Sequence, residues 1–135
     1  MSKKIKVVQY GLGPIGCRSV QYLTEWGHFD LVGAIDSDER KVGVDVGELA
    51  ELPKKLGIHV TDDSTNLLRK VDAEVVVLTT TSSLEQIRPQ VLEIISCGKN
   101  VVSTCEELMY PWQTNPSLAK ENDVAAREKG VSVLS

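Results

Sequence analysis

No stretch of this sequence approaches the ~20 consecutive apolar residues that cross a bilayer. The opening Met-Ser-Lys-Lys-Ile-Lys-Val-Val-Gln-Tyr is basic, yet Lys6 and Gln9 interrupt any secretion-signal core. Cysteine is scarce. Cys17, Cys97 and Cys105 are odd in number and lack CxxC spacing, which argues against a disulfide framework and against a zinc site. A reducing cytoplasm is the compartment those cysteines suggest. Basic residues are the minority, 15 Lys and Arg against 19 Asp and Glu, for a net charge of −4. A nucleic-acid binder needs a concentrated basic face, so no such partner is expected, and no membrane partner either. What is present is ordinary for one globular domain: 135 residues, 41% hydrophobic and 25% charged.

Apolar runs alternate with helix-like segments, without repeats or low-complexity tracts. This alternation predicts an α/β fold, a doubly wound parallel sheet of about six strands with helices on both faces. Expected strands are residues 4–10, 29–36, 58–61, 73–79, 100–103 and 131–134. Between them, helices are expected over 14–26, 40–52, 65–70, 89–97 and 116–129. Pro14 and Pro89 suit first helical turns, and Gly27 and Gly98 suit the positions just past helix ends. Val75-Val76-Val77-Leu78 is apolar without interruption, as a strand buried on both faces requires. The order is βαβαβ twice over, two mononucleotide-binding halves.

Gly11-Leu12-Gly13-Pro14-Ile15-Gly16 is a GxGxxG that follows a strand and opens a helix. Gly11 makes the tight turn, Gly13 admits a pyrophosphate to the backbone, and Gly16 lets helix pack on strand. Amides at the helix start hold the phosphate charge. Asp36 stands twenty residues after Gly16, at the end of the second strand. There it accepts hydrogen bonds from ribose hydroxyls, which favours NAD, or simply caps the turn Asp36-Ser37-Asp38. Arg40 and Lys41 follow within reach of a 2′-phosphate, so NADP is open, with NAD preferred.

Ligands of open α/β sheets lie beyond the carboxyl ends of the strands. Thr79-Thr80-Thr81-Ser82-Ser83 ends the fourth strand, where hydroxyls border a nicotinamide ribose or cap the next turn. The fifth strand ends in Ser103-Thr104-Cys105-Glu106-Glu107. Glu106 and Glu107 are a solvated acidic pair or a functional one. At that edge a carboxylate can hold an ammonium, or take a proton from an amine as hydride leaves its carbon. Cys105 has no local histidine to activate it, and His28 and His59 fall where surface placement is expected. Trp112 closes over a ligand or packs its loop.

Taken together, Val7–Gly16, Ala34–Asp38 with Lys41-Val42-Gly43, and Val101–Leu108 resemble the N-terminal domain of the 2,4-diaminopentanoate dehydrogenase and native amine dehydrogenase family. That family lies within the wider dihydrodipicolinate-reductase-like group, and the resemblance spans essentially the whole chain. It implies a Rossmann-type domain that binds NAD or NADP, and oxidative deamination of a small amine or diamine. Hydride passes to the nicotinamide, and water completes release of ammonia. Gly11, Gly13, Pro14, Ile15, Gly16 and Asp36 match the family's cofactor positions, joined by Thr79, Thr80 and Thr104. By comparison with homoserine dehydrogenases, which place a lysine after a similar strand, Glu106 matches the catalytic acid–base and Glu107 is the second choice. No metal is implied. The family continues into a second α/β domain with most of the substrate pocket and the oligomer interface. Residues 1–135 are therefore expected to be the dinucleotide-binding domain without the substrate domain, with little turnover alone; a homo-oligomer is open. Two alternatives stand beside this expectation, a nucleotide-binding module without catalysis and a reductase of cyclic imines.

Overall fold

The β-branched run Ile5–Tyr10 forms β1, which pairs in parallel with Phe29–Ile35 on one side and Val75–Leu78 on the other. The computed structural model describes residues 4–80, 84–103 and 126–134. Along the chain come β1, α1 (Pro14–Glu25), β2 (Phe29–Ile35), α2 (Val46–Leu49), α3 (Ser64–Lys70), β3 (Val75–Leu78), α4 (Leu84–Ser96), β4 (Asn100–Ser103) and β5 (Val133–Leu134). All strand pairs are parallel, in the order β2-β1-β3-β4-β5. The order reverses between β1 and β3, so a crevice opens beyond their carboxyl ends. Residues 126–129 are helical and lead through Gly130 to β5.

Two apolar clusters cover the two faces of the sheet. Val8, Tyr10, Val76, Leu78 and Val101 pack with Leu68 of α3 and with Ile87, Val91, Ile94 and Ile95 of α4. Opposite, Leu12 and Ala34 pack with Val20 of α1 and Val46 of α2. Helices therefore lie on both faces. Among the described residues no helix is long and apolar enough to cross a membrane.

The strand expected over 131–134 is confined to Val133–Leu134, residues 116–125 of the last expected helix lie outside the described residues, and three further elements differ. The segment 58–61 makes only isolated bridges, Ile35 with Thr61 and Asp45 with His59, so the described sheet has five strands. Its backbone is shared between two neighbours. Thr61 exchanges bonds with Ala34 and Asp36 beside β2, whereas Ile58 and Val60 bond Val46, Val44 and Gly43. The helix expected over 40–52 shrinks to Val46–Leu49. Gly43 adopts φ 85° and gives its amide to Val60, which turns the chain before Asp45 caps α2. Finally, α4 begins at Leu84 and carries Pro89 inside it rather than at its start. Proline in a helix interior costs about 3 kcal/mol. Starting the helix earlier places Ile87 fully in the core, and burying one such side chain returns ~1.5–3 kcal/mol.

Asp45 is only 5% exposed. Its Oδ1 accepts from the amides of Gly47 (2.8 Å) and Leu56 (3.0 Å), and its Oδ2 from Gly57 (2.8 Å). These bonds, led by that from Leu56, hold its carboxyl below the usual carboxylate range. A depressed folded pKa adds stability above the unfolded value near about 3.9 and loses it as pH falls through the folded value. Asp45→Asn, whose amide nitrogen must face one of those donors, is expected to lower the melting temperature at pH 7 by on the order of 5–10 °C. Thermal melts across pH should show that gap closing below about pH 4. A constant gap would mean the carboxylate charge is not the cause.

Candidate dinucleotide site

The carboxyl ends of β1, β2 and β3 frame a cleft of about 470 Å³ lined by Gly11, Gly13, Asp36, Lys41, Thr79 and Thr80, among others. Its floor is set by crowding. Gly11 has φ 106°, and a Cβ there would lie 2.9 Å from Thr79 Oγ1. A Cβ on Gly16 would lie 2.0 Å from the Gly11 carbonyl oxygen, so only hydrogen lets α1 approach the end of β1 this closely. Gly13 differs from both. Its φ of −75° suits any residue, and a Cβ there would meet nothing within 4 Å. Space, not strain, is what glycine preserves at 13.

The loop is fastened from below by a residue the sequence reading passed over. Gln9, 0% exposed, donates from Nε2 to the Gly11 carbonyl (3.0 Å) and to Thr79 Oγ1 (3.1 Å). Thr79 Oγ1 in turn donates to the same carbonyl (3.0 Å). A glutamine in an otherwise apolar stretch of strand was the available signal. Thr79 therefore serves the loop through its hydroxyl while also lining the cleft. Thr80 donates to Gln90 Oε1 of α4 (2.6 Å), and both line the cleft with Asp36 and Lys41.

Asp36 is oriented by backbone donors. Leu12 N–H gives to Oδ2 (2.7 Å) and Asp38 N–H to Oδ1 (2.8 Å). Each carboxylate oxygen retains a further lone pair. Lys41 Nζ donates to the Leu12 carbonyl (2.8 Å) and lies 4.0 Å from Asp36 Oδ2, tying the glycine loop to the end of β2. Arg40 does not line the cleft; its guanidinium pairs with Asp38.

At the start of α1, Gly13 is the N-cap and supplies no side-chain acceptor, and the first turn carries no acid. Pro14 has no N–H, so the first-turn amides that follow, at Ile15 and Gly16, begin the positive end of the helix dipole. An open glycine, an uncapped helix start and a pre-oriented carboxylate are the features that a dinucleotide's pyrophosphate and ribose require. Such a cofactor fits.

The expected cofactor residues thus divide. Gly11, Gly13, Asp36, Thr79 and Thr80 line one cleft, and Gly16 closes the helix onto it. Pro14 and Ile15 line a separate apolar groove on the outer side of α1, with Tyr22, Trp26 and Phe29. Thr104, Cys105, Glu106, Glu107 and Trp112 lie outside the described residues. Burial pushes the Cys17 thiol up, which keeps it protonated beside the loop.

Residues 5–105 match the family model described as dihydrodipicolinate reductase, N-terminus. The chain is 30% identical over 133 residues to 2,4-diaminopentanoate dehydrogenase of Acetoanaerobium sticklandii, covering 98% of this chain and 37% of that protein. An amine dehydrogenase from Mycobacterium smegmatis superposes with a TM-score of 0.93 at 33% identity, covering 97% of this chain and 38% of the other. GenD2 from gentamicin A biosynthesis, solved in complex with NAD, gives a TM-score of 0.75 at 27% identity over 99% of this chain and 34% of its own. The sequence given thus spans well under half the length of these relatives.

Proposed function

This chain belongs to the dihydrodipicolinate reductase N-terminal family, and from that premise we propose that it is the nicotinamide-dinucleotide-binding part of an oxidoreductase acting on a small amine. The observation that carries the proposal is the cleft itself. Gly13 leaves 4 Å of open space in front of an uncapped helix start, and Asp36, on the same lining, is held by the Leu12 and Asp38 amides. Amine dehydrogenation is supported by the two amine-oxidising relatives above.

The chain's own groups have distinct tasks. Amides at the start of α1 neutralise the pyrophosphate charge. Asp36 accepts from the ribose hydroxyls, which favours NAD over NADP. Gln9 and Thr79 hold the Gly11 carbonyl in place beneath the phosphate, so the turn does not reorganise on binding. A bound NAD supplies a two-electron hydride acceptor. Glu106, with Glu107 as the second candidate, takes a proton from the substrate ammonium so that hydride can leave the α-carbon; water then adds to the resulting iminium, giving ketone and ammonium. The remainder of the substrate pocket comes from a second domain, because hydride transfer needs both carbons held in near-attack geometry.

Amine-dependent NAD reduction tests this. The 135-residue chain is expected to bind NAD yet turn over 2,4-diaminopentanoate negligibly. In a chain that carries the second domain, Glu106→Gln should cut kcat by at least about 100-fold. Unchanged turnover in that variant would remove Glu106 from the reaction. Robust turnover by the short chain would show the second domain to be dispensable.

A further inference from the structure

The segment after β2 holds its charges in a way that bears on which dinucleotide enters. Residues 36–41 carry three acids, Asp36, Asp38 and Glu39, and two bases, Arg40 and Lys41. Both bases already have partners. Lys41 serves the Leu12 carbonyl and lies near Asp36. Arg40 reaches back to Asp38 with two side-chain bonds, Nε to Oδ1 (3.2 Å) and Nη2 to Oδ2 (3.0 Å). The Asp38 carboxylate also receives the Arg40 amide at Oδ1 (3.0 Å), so backbone and side chain converge on one acid. That acid lines the cleft, whereas Arg40 does not. Arg40, tied to Asp38, holds the Asp38 carboxyl below the usual carboxylate range, so it is charged at neutral pH.

We propose that Asp38 is a specificity-determining residue, excluding a 2′-phosphorylated dinucleotide both by its own charge at the cleft edge and by holding Arg40 away from it. This rests on the cleft being a dinucleotide site, and it places selection on Asp38 and Arg40 in addition to Asp36. A 2′-phosphate adds close to two negative charges beside Asp36 and Asp38. The one guanidinium within sequence reach of it is bound by the second of those acids. Arginine's planar fork matches a carboxylate and a phosphate equally well, so the two compete for the same donors. An exposed ion pair is weak, and the selection it provides is correspondingly modest.

The experiment is a titration of NAD and NADP into the wild-type chain, Asp38→Asn, Arg40→Ala and the double variant, each at low and at high salt. Asparagine keeps an oxygen for the Arg40 amide while removing the charge. Asp38→Asn is expected to raise the ratio of NADP to NAD affinity by about 3- to 10-fold, less at high salt. In the double variant part of that gain should be lost, because the released guanidinium adds to the effect of removing the Asp38 charge. No rise in the ratio for Asp38→Asn overturns the proposal. An equal rise with and without Arg40 overturns the part assigned to Arg40. A wild-type chain that binds neither nucleotide refutes the cleft assignment itself, a result distinct from either.

Discussion

Gly13→Asp is expected to weaken NAD binding by at least about 100-fold while the protein melts no lower than wild type. The two halves of that result come from one geometry. With φ −75° and ψ −167°, the position has backbone angles open to any residue, and no heavy atom beyond Gly13 and its chain neighbours lies within 4 Å of where a Cβ would be built. Aspartate is among the best N-cap residues, so its carboxylate takes the first-turn amides that glycine leaves without a side-chain acceptor. It also interacts favourably with the helix dipole by roughly 0.3–1 kcal/mol. Those are the donors a pyrophosphate needs, and the added charge repels it. Binding should therefore be lost because the helix start is satisfied. Calorimetry and a thermal melt on the same sample check both halves. Equal NAD affinity in the variant would mean the cofactor does not lie at this turn. A large fall in melting temperature would mean position 13 is packed rather than open.

Gly16→Ala should do the reverse, costing stability first. Here a single methyl would sit 2.0 Å from the Gly11 carbonyl oxygen and 2.9 Å from Thr79 Oγ1. The nearest obstacle is backbone, which cannot rotate aside, so α1 must lift from the end of β1. Val20, fully buried on the same helix, moves with it. Overpacking of this kind costs roughly 1–3 kcal/mol or more, a large share of a total that is typically about 5–15 kcal/mol. Denaturant unfolding is expected to show a loss of about 3 kcal/mol. NAD affinity then falls because the loop is displaced, not because its space is filled. A variant as stable as wild type would show that helix and loop are farther apart than described. The pair of variants thus separates two glycines that a motif treats alike.

Much of this was written in the sequence because the chemistry is local. Gly11, Gly13, Gly16 and Asp36 are spaced by the geometry of one strand, one turn and one helix, so their order along the chain carries their arrangement in space. The central position of Val75–Leu78 was legible for a similar reason, since only a strand covered on both faces tolerates four apolar residues in succession. What was missed depends on partners far along the chain. Asp45 looked like part of a helix, but its carboxylate is set by amides at 56 and 57. Segment 58–61 has strand-like residues, yet its hydrogen bonds divide between two neighbours. Pro89 marked a helix start on local grounds, and burial of Ile87 on the sheet overrode it. Gln9 was visible only as an interruption. Its task appears once Thr79, seventy residues away, is brought beside Gly11.

The relation of Asp36 to Lys41 shows a similar division. Asp36 was placed by its distance from the glycines, and Lys41 was noted as a cation nearby. The sequence does not reveal that Lys41 reaches back to the Leu12 carbonyl, closing a ring from the glycine loop through Asp36 to the turn after β2. That ring fixes the Asp36 and Lys41 side of the cleft.

Isothermal titration of NAD into the wild-type chain is the most direct measurement of the assignment. One saturable site per chain is expected, with affinity in the micromolar to millimolar range usual for such cofactors and competition by ADP-ribose, which carries the adenosine, pyrophosphate and ribose without the nicotinamide. A folded chain that gives no heat with millimolar NAD, and is not protected by it in a thermal melt, would contradict the dinucleotide site.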